Sequence, residues 1–407
     1  MHVTNIGSCG GSNGRYKTHL IAAMADGAHT HNLRGQSRMI VPLLTLWDFF
    51  APETYGMAEY FRGVQGGGSE FKFEQIIFHS RLGRRLPRGL KLLQKQIYFP
   101  IANRRLLGTL LEERWVLGGQ QFLSLIPPRY LQQATAVVFD LLELDFPDYG
   151  QRASYLDLVR RNYGPVTEVN QIITISNYSK QRIVAHYSID PDRILVAPVG
   201  INRTDFSPKS KKESNTFREA FGIPKSAFVV LYVGSEQRRK NLLSLVKALR
   251  IFARSVKELK FVKIGRSQSP IGRRLFEESI RESGLGGNTL VLDNVTRQQL
   301  ACWYSLADIF VFPSVGEGFG IPALEAMSCC LPLITTSCTA IPEVTGTSAL
   351  TVVDAFSPTA WADAMLRLYE SPNLRKKLGE LGRARSLEFS WETPRRAFKE
   401  ALNSARS

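Results

Sequence analysis

The chain has 407 residues, of which 44% are hydrophobic and 22% charged. This composition is typical of globular proteins and excludes a disordered chain, a collagen-like chain and a small disulfide-stabilised domain, and the length predicts two or three domains. Lys and Arg outnumber Asp and Glu by 52 to 36, which gives a formal net charge of +16. Such a surplus attracts polyanions, so nucleic acid, anionic lipid and phosphorylated substrates are all candidate partners.

The five cysteines are odd in number, and none has a CxxC or Cys/His metal-binding spacing. This argues against a disulfide framework and a structural zinc site, and it favours a reducing compartment. The N-terminus does not have the charged and apolar regions of a signal peptide, and no apolar run approaches the length of about 18 residues that a bilayer requires. We therefore expect a cytoplasmic protein, either soluble or peripheral on the cytoplasmic membrane face.

The N-terminal region opens with a predicted strand at residues 2–6, and the glycine-rich turn GGSNG follows at residues 10–14. Backbone at glycines can approach a phosphate closely, and a simple turn fits the same residues. Later apolar runs predict strands at residues 137–139, 172–176 and 194–198.

Residues 81–105 carry eight Lys or Arg side chains and no acidic residue. Apolar residues three or four apart across 87–99 predict a helix with an apolar stripe and basic flanks. Such a helix suits an anionic membrane surface, and a helix that faces a core fits the pattern equally well.

From about residue 210 to 390, short apolar strands alternate with amphipathic helices. The strands are predicted at residues 228–233, 261–264, 290–292, 309–312, 333–335 and 350–353, and the helices at 242–252, 275–281, 298–306, 322–327 and 360–369. This alternation is typical of a parallel sheet that helices cover on both faces.

The polar, basic segment at residues 203–216 predicts a domain boundary. We expect an α/β domain at residues 1–205 and a second at 206–390, both doubly wound and Rossmann-like, with a helix at about 391–407 that packs back on the first. Two such domains form a cleft, and ligands of parallel sheets bind beyond the carboxyl ends of the strands.

The sequence IFVFPSVGEGFGIPALE at residues 309–325 predicts a buried strand, a glycine-rich loop and a helix with Pro322 in its first turn. A loop of this kind before a helix N-terminus is suited to binding a diphosphate. Glu317 lies in the loop, and Glu325 follows eight residues later among apolar neighbours. Burying an ionised Glu325 is costly unless hydrogen-bond donors such as sugar or ribose hydroxyls satisfy it. A capping Glu and a surface Glu are the alternative interpretation.

The sequence VGSEQRRKN at residues 233–241 places three cations directly after a predicted strand. Arg238, Arg239 and Lys240 could neutralise a pyrophosphate and stabilise a leaving nucleoside diphosphate, although basic clusters are usually solvated surface.

With these motifs, residues 165–400 resemble the family 4 retaining glycosyltransferases, the group 1 glycosyl transferases with a Glu-x7-Glu motif. The resemblance includes residues 173–202, the strand and RKN block at 228–241, the Glu-x7-Glu segment at 307–327, residues 334–352 and FSWE at 389–392. It implies the GT-B fold, in which two Rossmann-like domains face each other across a cleft. It also implies hexosyl transfer with retention, from a nucleoside-diphosphate sugar to a glycan or lipid-linked acceptor.

The resemblance also assigns roles to individual residues. Glu325 would bind the ribose hydroxyls, Glu317 would hold the transferred sugar, and Lys240 with Arg239 or Arg238 would bind the diphosphate. The remaining implied donor contacts are Gly318, Phe319, Gly320 and Ile321 in the loop and first helical turn, Asn294 near the base, and Gly11 and Gly14 in the N-terminal glycine run. No metal or other cofactor is implied, and Asp190-Pro191-Asp192 reads as an ordinary polar turn.

Three positions depart from the family pattern. Phe139 stands where members often have a His that contacts the donor sugar, and Ser235 stands where some have an Arg. Cys330 follows Cys329 where a glycine is usual, which places a side chain at a helix C-cap that prefers glycine.

The sequence leaves several functions open. A GDP-mannose or UDP-hexose donor is expected; the RKN block favours mannose, while glucose, galactose and rhamnose remain open. A sugar-nucleotide epimerase or hydrolase of the same fold is one alternative, and an inactive nucleotide-sugar-binding protein, suggested by Phe139, is another. Nucleic-acid binding is disfavoured because aromatic residues do not interleave with the basic clusters.

Overall fold

The computed structural model describes residues 2–5, 39–45, 55–66, 71–77, 115–118, 123, 126, 128–147 and 153–403. The chain divides into two compact units. The first comprises the described residues within 1–144, 152–200 and 391–407, and the second comprises 145–151 and 201–390. The structural division thus falls after Gly200, where the sequence predicted a boundary after residue 205, and the described residues 145–147 group with the second unit.

In the described part of the first unit, seven strands form one sheet of order β1-β3-β2-β4-β5-β6-β7. Its strands are β1 (His2–Asn5), β2 (Met39–Thr45), β3 (Phe71–Ile77), β4 (Trp115–Gly118), β5 (Ala134–Val137), β6 (Gln171–Thr174) and β7 (Ile194–Val196). Among the described residues before 200, its helices are α1 (Tyr55–Gln65), α2 (Pro128–Leu131), α3 (Leu142–Asp145), α4 (Ala153–Tyr163) and α5 (Asn177–Tyr187). The predicted first strand is present, but it lies at the sheet edge and runs antiparallel to β3.

The second unit contains a six-stranded parallel sheet of order β10-β9-β8-β11-β12-β13. Its strands are β8 (Phe228–Val233), β9 (Leu259–Ile264), β10 (Thr289–Leu292), β11 (Ile309–Phe312), β12 (Leu333–Thr336) and β13 (Leu350–Val352). Its helices are α6 (Lys211–Ala220), α7 (Leu242–Phe252), α8 (Pro270–Glu282), α9 (Arg297–Leu306), α10 (Ile321–Ser328), α11 (Ile341–Thr345), α12 (Pro358–Glu370) and α13 (Pro372–Ser386). The predicted alternation of strands and helices is confirmed here, with differences of a few residues at the ends.

The strands at the centre of this second sheet are covered on both faces. All six residues of β8 and all four of β11 are buried. Val230 and Tyr232 join the apolar cluster that α7 and α12 build on one face. Because side chains alternate along a strand, the buried residues between them pack on the other face. Local signals set the helix ends, since Ser210 with Glu213 and Thr296 with Gln299 form capping boxes.

The C-terminal helix α14 (Glu392–Asn403) returns to the first unit. Phe398 is fully buried and packs against the rings of Tyr60 and Phe61 at centroid distances of 6.1 and 5.9 Å. Arg395 donates to the carbonyl oxygens of Val64 at 2.9 Å and Gly63 at 3.2 Å, which satisfies groups left open at the end of α1.

The cysteine pair after α10 has the strain that the sequence predicts. Cys330 has a φ of 59°, in the left-handed region that favours glycine. Burial raises the pKa of Cys329 to about 12, so its thiol stays protonated near neutral pH. Both cysteines are free thiols. Among the described helices, none is long and apolar enough to cross a bilayer.

Candidate functional site

Two loops lie at the carboxyl edge of the second sheet, at residues 234–241 and 313–320. The first follows β8 and the second follows β11, and these strands are adjacent and parallel. The chain builds the sheet from β8 outwards to β10 and then restarts at β11 on the other side of β8. The strand order therefore reverses between the two loops, which is where open α/β sheets bind ligands.

The loop after β8 is fixed by hydrogen bonds at both ends. Tyr232, at the end of the strand, donates its hydroxyl to the carbonyl oxygen of Ser235 at 2.8 Å. Arg238–Lys240 forms a single 3₁₀ turn, and Asn241 follows in the left-handed conformation with its amide donated to Ala355 at 2.6 Å. The turn places the last two cations of the RRK sequence beside the second loop.

The loop after β11 leads directly into helix α10. Gly320 is the N-cap residue and has a φ of 104°, a conformation that residues with a Cβ rarely adopt. Pro322 lies in the first turn, as the sequence predicts, and no side chain caps this end of the helix. Pro322 has no N–H, and Ala323 donates its N–H to the carbonyl oxygen of Gly320 at 3.0 Å. The N-terminus of α10 therefore presents the N–H of Ile321 and the positive end of the helix dipole without a capping side chain.

An ion-pair cluster joins the two loops. The ammonium group of Lys240 lies 2.6 Å from Oε1 of Glu317, and Nη1 of Arg239 lies 3.5 Å from Oε2 of the same carboxylate. Arg239 also donates to the carbonyl oxygen of Gly316 at 2.6 Å. The sequence separates these cations from Glu317 by more than 70 residues, and the adjacent strands bring them into contact.

Glu317 is almost fully buried, with 8% of its side chain exposed. Burial alone would raise the pKa of this carboxyl group, but the positive charges of Lys240 and Arg239 outweigh burial and hold its pKa below the usual range. The group is therefore a carboxylate at neutral pH. Lys240 and Arg239 form a positively charged surface next to the N-terminus of α10. A diphosphate beside a sugar has the charge and the hydroxyl groups for such a surface.

Glu325 is half-buried on α10 and has a partner that the sequence did not reveal. Tyr304, fully buried on α9, donates its hydroxyl to Oε2 of Glu325 at 3.0 Å. The carboxylate has further acceptor capacity, because each carboxylate oxygen can accept more than one hydrogen bond. A tyrosine within a helix gives no sequence signal for this contact.

Other predicted site residues that the structure describes differ in location and exposure. Phe319 is buried in the second loop, and Ile321 at the start of α10 is 37% exposed. Asn294 is exposed and follows β10, two strands from β8. Arg238 is exposed at the start of the 3₁₀ turn. Gly11, Gly14 and the basic stretch 81–105 lie outside the described residues.

Two departures from the family pattern have clear surroundings. Phe139, just after β5, packs edge-on against Tyr60 with ring centroids 5.3 Å apart. Ser235 is buried in the first loop. An aromatic ring and a short hydroxyl thus occupy the two positions where the family resemblance leads us to expect an imidazole and a guanidinium.

Sequence reasoning also missed a buried ion network beside the first loop, formed by Glu236, Lys263, Arg273 and Asp293. A signal was available, because Lys263 interrupts an otherwise apolar strand, FVKIG. In the described part of the chain, no three His, Cys, Asp or Glu side chains are grouped so that they could hold a metal ion.

The fold is that of an α/β protein with a cluster of cations and an uncapped helix N-terminus at one sheet edge. Comparison with known proteins identifies a family that part of the chain matches. Residues 213–385 match the family described as "Glycosyl transferases group 1". The matched residues lie within the second unit.

Curated relatives agree with this assignment. D-inositol 3-phosphate glycosyltransferase from Paenarthrobacter aurescens is 32% identical over 215 residues, which are 52% of this chain and 51% of the relative. O-antigen chain mannosyltransferase B from Escherichia coli is 26% identical over 268 residues, which are 65% and 68% of the two chains. The chain spans about half the length of the inositol phosphate glycosyltransferases that it matches.

Solved structures show the GT-B fold. HepE from Anabaena, solved in complex with UDP and glucose, superposes with a TM-score of 0.71 at 14% identity, covering 90% of this chain and all of HepE. WaaG, a glycosyltransferase involved in lipopolysaccharide biosynthesis, has a TM-score of 0.66 at 17% identity, with 90% and 100% covered. The expected fold class is confirmed.

Proposed function

We propose that this protein is a retaining hexosyltransferase that moves a hexose from a nucleoside-diphosphate sugar to a glycan or lipid-linked acceptor. The observation that carries the proposal is the contact between Lys240, Arg239 and Glu317 beside the uncapped N-terminus of α10. It joins a charge cluster for a diphosphate to a carboxylate for sugar hydroxyls, at the point where the strand order reverses.

In this proposal the two loops and helix α10 contact different parts of the donor. Lys240 and Arg239 bind the diphosphate together with the N–H groups of Phe319, Gly320 and Ile321. Glu325 accepts hydrogen bonds from the ribose hydroxyls, with Tyr304 fixing its orientation. Asn294, Arg238 and Gly318 contribute further donor contacts, and Gly11 and Gly14 approach the donor from the N-terminal region.

The charge cluster would act most strongly at the transition state. As the bond from the anomeric carbon to the phosphate oxygen lengthens, negative charge grows on the leaving diphosphate and positive charge grows on the sugar. Preformed cations and N–H groups stabilise the leaving group more in this state than in the ground state. Glu317 stabilises the positive sugar. The acceptor hydroxyl attacks from the face that the diphosphate leaves, and its proton passes to the departing phosphate oxygen.

The donor is proposed to be GDP-mannose or a UDP-hexose, in polysaccharide or O-antigen-type biosynthesis. A relative named as an O-antigen chain mannosyltransferase supports mannose, and a structural neighbour in complex with UDP and glucose supports a UDP donor. A catalytically inactive nucleotide-sugar-binding protein is the second candidate, and Phe139 at the position of the family His favours it.

The test is hexosyl transfer from radiolabelled GDP-mannose, UDP-glucose and UDP-galactose to lipid-linked and glycan acceptors, with free nucleoside diphosphate measured in parallel. Lys240→Met is expected to reduce transfer by about 10²–10³-fold, the usual loss when one group that stabilises the transition-state charge is removed. Glu325→Gln, which weakens the contact with the ribose hydroxyls, is expected to reduce transfer through weaker donor binding. Lys247→Met, which changes an exposed lysine on α7 in the same way, is the control and should keep full activity.

Three results would reject the proposal. Wild-type rates of transfer in Lys240→Met would show that Lys240 does not bind the diphosphate. Donor consumption without any acceptor would indicate an epimerase or hydrolase. Tight donor binding without turnover would indicate the inactive binder.

The acidic membrane surface is proposed as a further partner through residues 81–105, with the protein peripheral on the cytoplasmic face. Their charge supports this, since each Lys or Arg near an anionic bilayer contributes about 1 kcal/mol. Cosedimentation with phosphatidylglycerol vesicles should fall when Arg84, Arg85 and Arg88 are replaced by Gln, and unchanged cosedimentation would refute the idea.

A further inference from the structure

Four charged side chains form one connected ion network at the carboxyl edge of β8, β9 and β10. Oε1 of Glu236 lies 2.5 Å from the ammonium group of Lys263 and 2.6 Å from the guanidinium of Arg273. Nη2 of Arg273 also lies 2.5 Å from Oδ1 of Asp293. Lys263 also donates to the carbonyl oxygen of Gly265 at 2.5 Å.

Each member of this network comes from a different element around the site. Glu236 belongs to the first loop, two residues before Arg238, and Asp293 directly precedes Asn294 in the loop after β10. Arg273 is in the first turns of α8, and Lys263 is in β9, between the strands that carry the two loops. The network therefore ties the loop proposed to hold the diphosphate to the loop proposed to lie near the base.

Burial changes the free-energy balance of these ion pairs relative to ion pairs on the surface. The side chains of Lys263 and Glu236 are 0% and 1% exposed, and Arg273 is 17% exposed. Burial is the main cause that lowers the pKa of Lys263, and its contacts with Glu236 oppose that shift. Removing two charges from water costs about as much as their attraction returns, so such a pair is weak evidence for added stability.

The network also leaves polar atoms unsatisfied. Oε2 of Glu236 and the hydroxyl oxygen of the neighbouring Ser235 are buried without a hydrogen-bond partner in the described part of the chain. A buried acceptor that lacks a partner costs free energy. The arrangement is thus poorly explained by stability alone, and it lies beside the proposed diphosphate clamp.

We propose that Glu236, Lys263, Arg273 and Asp293 are positioning residues that fix the distance between the diphosphate loop and the base loop, and so set the affinity for the nucleoside diphosphate. This inference rests on the proposed function and adds residues to it that touch no reacting atom. The backbone supports it: a Cβ on Gly272 would lie 2.1 Å from the carbonyl oxygen of Glu236, so α8 approaches the first loop too closely for a side chain.

The guanidinium of Arg273 connects the two loops, because it contacts Glu236 in one and Asp293 in the other. Its guanidinium bonds two carboxylates at once because its N–H groups point in fixed directions, whereas an ammonium group is a point charge. Without it, Glu236 retains Lys263 but the base loop loses its tie. The diphosphate and the base of a ligand would then no longer meet both loops at the correct spacing.

The test compares full-length wild type with Arg273→Met, Glu236→Gln and the double variant. Calorimetric titration with UDP and GDP gives Kd, and the donor that wild type uses gives KM and kcat. Each single change is expected to raise Kd and KM by about tenfold through lost positioning, with kcat within a factor of about two. The double variant is expected to be no weaker than the single ones, because the residues act as a unit. Arg273→Lys should fall between wild type and Arg273→Met.

Arg274→Met is the matched control, since Arg274 is next to Arg273 on α8 but has an exposed side chain. Unchanged Kd in folded Arg273→Met, or an equal loss in Arg274→Met, would overturn the positioning role. Arg273 is partly exposed, so its variant stays informative if Glu236→Gln fails to fold. Wild type that binds neither nucleotide would reject the proposed function as well, whereas binding wild type with unaffected variants would reject this inference alone.

Discussion

Glu317 illustrates how one residue acquires its properties from partners distant in sequence. Its carboxylate is buried, which by itself favours the neutral form. Lys240 at 2.6 Å and Arg239 at 3.5 Å reverse this preference, and the folded protein lowers the pKa of Glu317 below its ordinary value of 4.5. In the ligand-free protein this carboxylate also holds both cations in place.

The lowered pKa makes a prediction about acid stability. A carboxyl group with a lower pKa in the folded state stabilises the protein above its unfolded pKa, and this contribution is lost as the pH falls through the folded value. The free energy of unfolding of wild type should therefore fall more steeply than that of Glu317→Gln below about pH 4.5. Urea titrations between neutral and acidic pH measure the difference.

Glu282→Gln is the control for this experiment, because it removes an exposed carboxylate from α8. Parallel pH profiles for wild type and Glu317→Gln would show that the ion pairs do not stabilise the ionised form.

At the scale of an element, helix α10 depends on the conformation of the residue before it. Gly320 at a φ of 104° turns the chain from the second loop into the helix, and no side chain caps the N-terminus that results. Most helices of the second unit begin differently, with a Ser or Thr N-cap such as Ser269, Ser357 or Ser371. Helices α7, α10 and α11 have no side-chain cap. Of these, α7 and α10 directly follow the two loops of the proposed phosphate-binding edge, where a capping side chain would compete with the ligand.

Gly320→Ala should therefore affect both stability and binding. A Cβ in this left-handed conformation costs about 1–2 kcal/mol, and relief of the strain would move the first N–H groups of α10. We expect a lower free energy of unfolding and weaker binding of UDP or GDP, measured by urea denaturation and calorimetry. Gly287→Ala is the control, because open space surrounds that glycine and its φ is not positive. Equal affinities in Gly320→Ala and wild type would refute the role of this helix end.

At the scale of the whole molecule, each unit is assembled from segments distant in sequence. The first unit gains its last helix from residues beyond 390, after the chain has completed the second unit. The attachment combines Phe398 in an aromatic cluster with Arg395 at the end of α1. An apolar stripe on α14 predicts a buried face but does not identify the partner.

Phe398→Ala tests this attachment. Removing a fully buried phenyl ring leaves a cavity between α14 and α1, and the expected loss of stability is about 3–5 kcal/mol. Arg396→Ala, at an exposed position of the same helix, should change stability by less than about 0.5 kcal/mol. Guanidinium denaturation measures both variants, and equal stabilities would show that α14 contributes little to the first unit.

The prediction from sequence succeeded where local patterns carry the information. Strands β8 and β11 and helix α7 were predicted with their observed ends, because each is a compact apolar or amphipathic run bounded by turn residues. Strands β2, β3 and β4 were not predicted. The antiparallel edge position of β1 was also missed, since pairing direction depends on contacts between distant segments.

Local sequence patterns predicted the fold class, the loop GEGFG before a helix and the cations Arg238–Lys240 after a strand. These follow from local periodicity and from residue types that turns and anions require. Three sets of contacts appear only in the folded chain: Lys240 and Arg239 with Glu317, Tyr304 with Glu325, and Arg273 with both Glu236 and Asp293. Each of these contacts depends on the order of the parallel strands, and strand order is set by packing across the sheet rather than by any one segment. The +16 charge is likewise fixed by composition, whereas the folded sheet decides which of its cations work together.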